Sequence, residues 1–170
     1  FRDYLLEKEL VGSSVTRVLT IVKAIFNFAN SENGLSLKNH FSGLQYDRFA
    51  RVGSREPIPI DDIRVIQKRC IEIDDELRWL IALISDTGMR LAEATGLLVE
   101  DIRLDSEVPF VSVQSYPWRP LKTKGSKRYI PLVGKALWST NRIKAMSESK
   151  FAFPRYNTST FTSTNTASAS

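Results

Sequence analysis

The sequence predicts a mainly helical protein with a small antiparallel β-sheet, an α+β fold. Apolar residues recur at helical spacing over most of the first hundred positions. The period changes to two between positions 108 and 131, which is typical of strands. Helical spacing returns at residues 134–146. Helices on both sides of a few short strands indicate this fold class.

The first part of the chain is helical. A short helix is predicted over residues 4–10 and a longer one over residues 15–29. Apolar side chains lie on one face of the longer helix: Val15, Val18, Leu19, Val22, Ile25, Phe26 and Ala29. We expect Ser13 or Ser14 to cap its start and Gly34 to end it.

An extended linker is predicted after these helices. Charged residues, Gly53 and two prolines, Pro57 and Pro59, dominate there, and proline disfavours helix. We place the linker at residues 45–59, between a first domain at residues 1–44 and a second at residues 60–170.

Three helices are predicted to open the second domain. Asp61 and Asp62 begin the first, whose apolar face includes Cys70. The second helix ends at Gly88, and a third, short helix starts near Arg90.

Three strands should follow, at residues 108–113, 118–121 and 128–131, with a basic turn at residues 122–127 between the last two. The Ser/Thr-rich residues 157–170 suit either a linker or the start of a helix.

Charge distribution points to a polyanionic partner. The chain has a net charge of +5 and an isoelectric point near 9.4. Residues 60–101 carry ten acidic and five basic residues, whereas residues 102–150 carry ten basic and three acidic ones. Such a local surplus attracts nucleic acid. A solvated basic face that only keeps the protein soluble is the alternative.

Other features narrow the class of protein. The longest apolar run, residues 79–84, is far too short to cross a membrane. The chain has a single cysteine and therefore cannot form an internal disulfide. This agrees with a reducing cytoplasm, in which we expect the protein to be associated with the nucleoid. No spacing of Cys, His or carboxylates indicates a metal site, and no cofactor is expected. Because the chain opens on Phe1 and not on a methionine, and stops in mid-pattern at Ser170, we expect it to be a fragment.

The first candidate motif surrounds Arg90. A helix ends on Gly88, and Arg90 follows at the mouth of the next helix. A helix N-terminus and a guanidinium both favour anions. Glu93 lies on the same helical face and can hold Arg90. An ordinary exposed ion pair between these two residues is the alternative.

The second candidate motif is the basic segment at residues 121–132. A lysine on a mobile turn can approach a scissile phosphate and donate a proton to a leaving oxygen. A loop that only increases solubility would look the same.

Together the two motifs resemble the catalytic domain of tyrosine recombinases, in particular phage integrases. The family's first active-site arginine lies in a T-G-x-R-x-x-E-x-x-x-L context, matched here by Thr87, Gly88, Arg90, Glu93 and Leu97. Its catalytic lysine lies in a K-T-x-x-S-x-R-x-x-P-L context, matched here by Lys122, Thr123, Ser126, Arg128, Pro131 and Leu132. Lys124, two positions further along the same turn, remains an alternative for that lysine.

The resemblance implies a domain plan. Residues 1–44 would be the C-terminal part of a helical core-binding, DNA-binding domain, and residues 60–170 an incomplete catalytic domain. The implied parent protein is a site-specific recombinase that acts on attachment-type sites in double-stranded DNA, as a homotetramer. It would cleave and rejoin strands through a 3′-phosphotyrosyl intermediate.

The resemblance also implies residue roles. Arg90 would hold the non-bridging oxygens of the phosphate and Glu93 would orient Arg90. Lys122, or Lys124 in its place, would protonate the leaving 5′-oxygen. The residues expected to bind DNA are Arg119, Lys124, Lys127 and Arg128.

Parts of the family pattern are absent from these 170 residues. The family continues with an H-x-x-R box and a tyrosine nucleophile, but the only histidine, His40, lies far upstream of Arg90. Tyr156 precedes the place where that box would begin, so we do not expect it to be the nucleophile. The fragment alone is therefore expected to be inactive. The alternatives are a non-catalytic DNA-binding remnant of an integrase, a topoisomerase IB-like enzyme, and a basic helical module without a DNA role.

Overall fold

The computed structural model describes residues 1–50, 53 and 56–170, and for Lys124 only the backbone. It divides the chain into two compact units, residues 1–57 and 58–170. None of the helices in the described ranges combines the length and hydropathy needed to cross a membrane.

The described residues of the first unit form two helices. Helix α1 covers Arg2–Glu7 and α2 covers Gly12–Glu32. Leu5, Val15 and Leu19 form its small core.

Helix α2 starts earlier than expected, with Val11 and not Ser13 or Ser14 at the N-cap. The N–H of Gly12 donates to the carbonyl oxygen of Ala50 at 2.8 Å. A Cβ at position 12 would lie 2.5 Å from the backbone of Arg48. A tertiary contact that only glycine permits thus sets the start of this helix.

The second unit is built on three long helices, with the bounds α3 Ile60–Ile73, α4 Glu76–Thr87 and α6 Gly134–Met146. Helix α4 lies between α3 and α6 and packs against both. Gly88, at φ +60°, ends α4 as expected. The predicted helix at residues 134–146 is confirmed.

Two short helices complete the helical part. Helix α5 covers Leu91–Thr95, and α7, at Thr164–Ala169, packs against it. Within the Ser/Thr-rich tail, the structure thus supports the start of a helix.

A three-stranded antiparallel sheet follows α5. Its strands are β1 Ile102–Arg103, β2 Phe110–Val113 and β3 Arg128–Pro131, in the order β1-β2-β3. The α+β prediction is therefore confirmed. The apolar core of this unit includes Leu83, Leu97, Ile102, Val111 and Phe153.

The predicted strand at residues 118–121 is wrong, and β1 was not predicted. Tyr116 and Arg119 instead exchange two backbone hydrogen bonds, of 3.0 and 3.1 Å, and form a tight turn. Pro117 and Pro120 lack the N–H groups that a strand needs. The connection between β2 and β3 is consequently a long loop, residues 114–127, which we call the β2–β3 loop.

Candidate functional site

Arg90 lies at the junction of α4 and α5. It is the N-cap of α5, with extended backbone (φ −65°, ψ 145°). Its side chain is 54% exposed. Its N–H already donates to Oε2 of Glu93 at 3.0 Å, and α5 has only five residues. The guanidinium, and not the helix terminus, is therefore the group available to an anion.

Glu93 lies between two arginines. Its Oε1 accepts from Nη1 of Arg90 at 2.8 Å. Its Oε2 accepts from Nη2 of Arg128 at 2.8 Å, and Nη1 of Arg128 is 3.2 Å from Oε1. The Glu93 side chain is 4% exposed, so these bonds are shielded from water.

The two arginines hold Glu93 ionised. Burial by itself raises the pKa of the Glu93 carboxyl, but hydrogen bonds from Arg128 and Arg90 outweigh it and lower the pKa to about 2. The same contact raises the pKa of Arg128. One negative carboxylate thus faces two positive guanidinium groups, so the local net charge remains positive.

The β2–β3 loop reaches this cluster. Its tip contains a 3-10 turn, Lys124–Ser126. The hydroxyls of Thr123 and Ser126 are 2.9 Å apart, and Nη1 of Arg128 donates to the carbonyl oxygen of Ser126 at 2.9 Å. Arg128 therefore connects the tip of the loop to Glu93.

A polar cleft of about 460 Å³ separates the two candidate motifs, and its lining residues are Gly88, Arg90, Thr123, Gly125, Ser126 and Arg128. One wall is the junction of α4 and α5, and the other is the β2–β3 loop. A phosphate group fits within this volume, beside the exposed guanidinium of Arg90. The two sequence motifs thus meet at one cleft.

Neither of the two loop lysines whose side chains the structure describes lines the cleft. Lys122 and Lys127 are exposed. Lys127 lines a neighbouring groove with Ser115, Leu121 and Thr123. The side chain of Lys124 lies outside the described part of the structure.

Arg119, which we expected to bind DNA, is buried in the structure. Only 3% of this residue is exposed. Its Nε donates to the carbonyl oxygen of Gly96 at 3.2 Å, and its guanidinium lies 5.4 Å from the ring centre of Tyr116. Burial lowers the pKa of Arg119. Arg119 anchors the base of the loop.

Asp101 completes that anchor, which sequence reasoning missed. It is 2% exposed, and its Oδ1 accepts from the Tyr116 hydroxyl at 2.7 Å and from Nε2 of Gln114 at 2.9 Å. Burial, followed by the Asp101 contacts, raises the pKa of Tyr116 to about 12. A single acidic residue before a strand carried no signal that its partners lie on a later loop.

On sequence grounds we set aside two further residues, His40 and Tyr156. His40 is exposed in the first unit. Tyr156 is 3% exposed and belongs to the core of the second unit. Among the described residues, neither His40 nor Tyr156 lines the cleft.

Solved structures that resemble this chain include two of the Tn1549 transposon integrase (residues 82–397), one of them carrying a single substitution, each in complex with circular intermediate DNA. The TM-scores are 0.69 and 0.71, at 16% and 17% sequence identity. The likeness covers 95% of this chain and 56% of each integrase chain, so this chain spans little more than half of their length. No family profile and no curated protein sequence matches the chain. The chain therefore has an integrase-type fold.

Proposed function

We propose that this chain belongs to a tyrosine-type site-specific DNA recombinase that cleaves and rejoins DNA through a 3′-phosphotyrosyl intermediate. The supporting observation is the cleft in which Arg90, held by Glu93, faces the lysine-bearing loop. Its setting is a fold shared with an integrase whose structures contain DNA.

The reaction suits this arrangement of charges. A tyrosine hydroxyl attacks the scissile phosphorus and forms a P–O bond, the P–O5′ bond breaks, and the leaving 5′-oxygen takes a proton. Reversal by a 5′-hydroxyl rejoins the strand, and because the covalent intermediate conserves the bond energy, no ATP is needed. Arg90 would bind the non-bridging oxygens, where negative charge develops.

We assign the proton donor to Lys122, with Lys124 as the alternative. Lys122 is exposed and directly precedes Thr123, which lines the cleft. A short movement of the loop would bring its ammonium group to a phosphate bound at Arg90.

We further propose that these 170 residues do not supply the nucleophile. Tyr156 is buried in the core, and the Tyr116 hydroxyl donates to Asp101. Tyr129 is 68% exposed, but side chains alternate along β3, which places it on the face opposite to Arg128. None of the three tyrosines of the second unit therefore suits the role, and we expect the fragment alone neither to cleave nor to join DNA.

The proposal includes the partners and the domain plan. Residues 1–44 would be the end of a core-binding domain, residues 45–59 a linker and residues 60–170 part of the catalytic domain. The full-length protein would act in the cytoplasm, at the nucleoid, as a homotetramer on attachment-type sites in duplex DNA.

A covalent trap tests the proposal. The full-length protein is incubated with a nicked suicide substrate, from which the short fragment that carries the freed 5′-hydroxyl diffuses away. The products are then resolved under denaturing conditions. We expect a protein–DNA adduct that a protease, but not heat or detergent, removes. DNA binding without an adduct would instead support the non-catalytic remnant. An adduct formed by the 170 residues alone would overturn the assignment of the nucleophile.

A further inference from the structure

We infer that Arg128 is a positioning residue, which holds Glu93 and the tip of the β2–β3 loop so that Arg90 faces the cleft, and which does not itself bind phosphate. This inference rests on the proposed function. It replaces the direct DNA contact that the sequence suggested for Arg128.

The hydrogen bonds of Arg128 support this role. Both of its terminal nitrogens donate to Glu93, at 3.2 and 2.8 Å, and Nη1 also donates to Ser126. Arg90 donates to Glu93 through Nη1, and its other guanidinium nitrogens have no acceptor among the described residues. A phosphate could bind Arg90 without displacing a protein acceptor, but it would have to compete with Glu93 for Arg128.

The exposed fractions of the two side chains support the same distinction between Arg90 and Arg128. The Arg90 side chain is 54% exposed and that of Arg128 is 34% exposed. Both line the cleft, but the more accessible guanidinium has the fewer protein partners. Arg90 therefore suits the ligand and Arg128 suits the support.

Arg128 also joins parts of the chain that are distant in sequence. Glu93 is on α5, thirty-five positions before Arg128 on β3, and Ser126 is on the loop tip. One guanidinium therefore fixes the carboxylate that orients Arg90 and the segment that carries Lys122. Loss of Arg128 should disturb the alignment of both groups.

Protonation of Glu93 depends on the cations around it, so a titration of Glu93 can measure the role of Arg128. The cations that face it are Arg90 from α5, Arg128 from β3 and, through longer-range electrostatics, Arg119 from the β2–β3 loop. Helix α7, which packs against α5, has no titratable side chain. Without Arg128, burial would act on Glu93 with only Arg90 bonded to it, so its carboxyl should protonate at higher pH.

The test compares Arg128→Gln with Arg128→Lys, and uses Arg103→Gln as a matched control on the exposed part of the same sheet. In the 170-residue chain, carboxyl ¹³C NMR follows the titration of Glu93, and DNA titrations at several salt concentrations give the salt slope. In the full-length protein, single-turnover cleavage at saturating protein gives the pH profile. Arg128→Lys retains a charge, so it supplies the comparison if Arg128→Gln does not fold.

We expect Arg128→Gln to move the Glu93 midpoint up by at least about one pH unit, and Arg128→Lys to move it less, because one ammonium replaces a two-point contact. The acid limb of cleavage should move with that midpoint, and the salt slope should equal that of the parent. Arg103→Gln should change neither the midpoint nor the acid limb.

The opposite result is equally clear. A salt slope lowered by about 0.9, the value for one lost phosphate contact, with an unmoved Glu93 midpoint would make Arg128 a DNA ligand and overturn the inference alone. A parent protein that does not cleave DNA, or one whose cleavage is indifferent to Arg90→Lys, would overturn the proposed function and this role with it. In that case the titration of Glu93 would still measure the ion pair between Arg128 and Glu93.

Discussion

The Nε of Arg119 lies 3.2 Å from the carbonyl oxygen of Gly96, and the Arg119 side chain occupies the space next to the glycine Cα. A Cβ at position 96 would lie 2.7 Å from Cδ of Arg119 and 3.0 Å from its Cβ and Cγ. The first turn of the β2–β3 loop is thus packed onto the end of α5. The lack of a side chain at Gly96 allows the anchor to form.

Gly96→Ala should therefore destabilise the protein. The backbone at Gly96 (φ −89°) accepts alanine, so the cost comes from overpacking against a buried side chain, typically about 1–3 kcal/mol. Thermal unfolding should show a midpoint lower by about 3–10 °C. Gly125→Ala is the matched control, because a Cβ there meets nothing within 4 Å. Equal midpoints for the two variants would contradict the packing at Gly96.

Arg90→Lys should separate catalysis from binding in the full-length protein. The substitution keeps the charge but loses the planar fork that can hold two phosphate oxygens. Removal of a donor aimed at transition-state charge typically costs about 3–4 kcal/mol, or on the order of a hundred- to a thousand-fold in rate. We expect single-turnover cleavage to fall by that factor, with DNA affinity little changed.

The control for that experiment is Lys127→Ala, since Lys127 is exposed and lines the groove beside the cleft rather than the cleft. It should weaken DNA binding modestly and leave the cleavage rate of the bound complex nearly intact. If Arg90→Lys cleaves at the parental rate, Arg90 is only the ion-pair partner of Glu93, and the active-site assignment fails.

A sulfur substrate identifies the proton donor. Lys122→Ala should slow cleavage of an ordinary phosphodiester, but not of one in which sulfur replaces the bridging 5′-oxygen, because a thiolate leaves without a proton. Lys124→Ala is tested alongside it, and the variant that the sulfur substrate rescues identifies the acid. Equal losses on both substrates would show that the substituted lysine binds DNA and does not transfer a proton.

The ion pairs of Glu93 predict a pH-dependent stability. The folded-state pKa, about 2, lies below the ordinary 4.5. The stabilisation is therefore complete above about pH 4.5 and is lost as pH falls toward 2. A shift of this size corresponds to about 3 kcal/mol. Glu93→Gln should lower the free energy of unfolding at pH 7 by roughly that amount, and the difference should shrink below pH 4.5.

Urea unfolding at pH 7, 4.5 and 3 measures this effect. Glu72→Gln is the control, because Glu72 forms only an exposed pair with Arg69 on α3, and such pairs contribute about 0–1 kcal/mol. A Glu93→Gln penalty that stays constant with pH would contradict the lowered pKa.

DNA affinity of the 170-residue chain should depend steeply on salt. Each phosphate that a protein cation neutralises contributes about −0.9 to the slope of log affinity against log salt. Lys127→Ala removes one such cation and should make the slope shallower by about 0.9. The measurement is a fluorescence-anisotropy titration of duplex DNA at salt concentrations between about 50 and 200 mM. A flat dependence would count against a phosphate-binding surface on this chain.

Local pattern alone determined most of the elements. Apolar spacing predicted the long helices, Gly88 marked the end of α4, and alternation predicted the strands at Phe110–Val113 and Arg128–Pro131. These features depend on neighbours within about one helical turn or one strand, which the sequence displays directly. The pairing of Arg90 with Glu93 was predictable for the same reason, since the two residues are three positions apart.

Only the tertiary structure decided which distant groups meet. Arg128 pairs with Glu93 across thirty-five positions, and Asp86 caps the start of α6 by accepting from the N–H of Lys135 at 2.6 Å, forty-nine positions later. Arg119 carries the same charge as the exposed Lys122 and Lys127 of its loop, yet it is buried. Hydrogen bonds and ion pairs act over a few ångströms, so their partners are chosen by which surfaces the packed helices and sheet bring together, and local spacing carries no record of that choice.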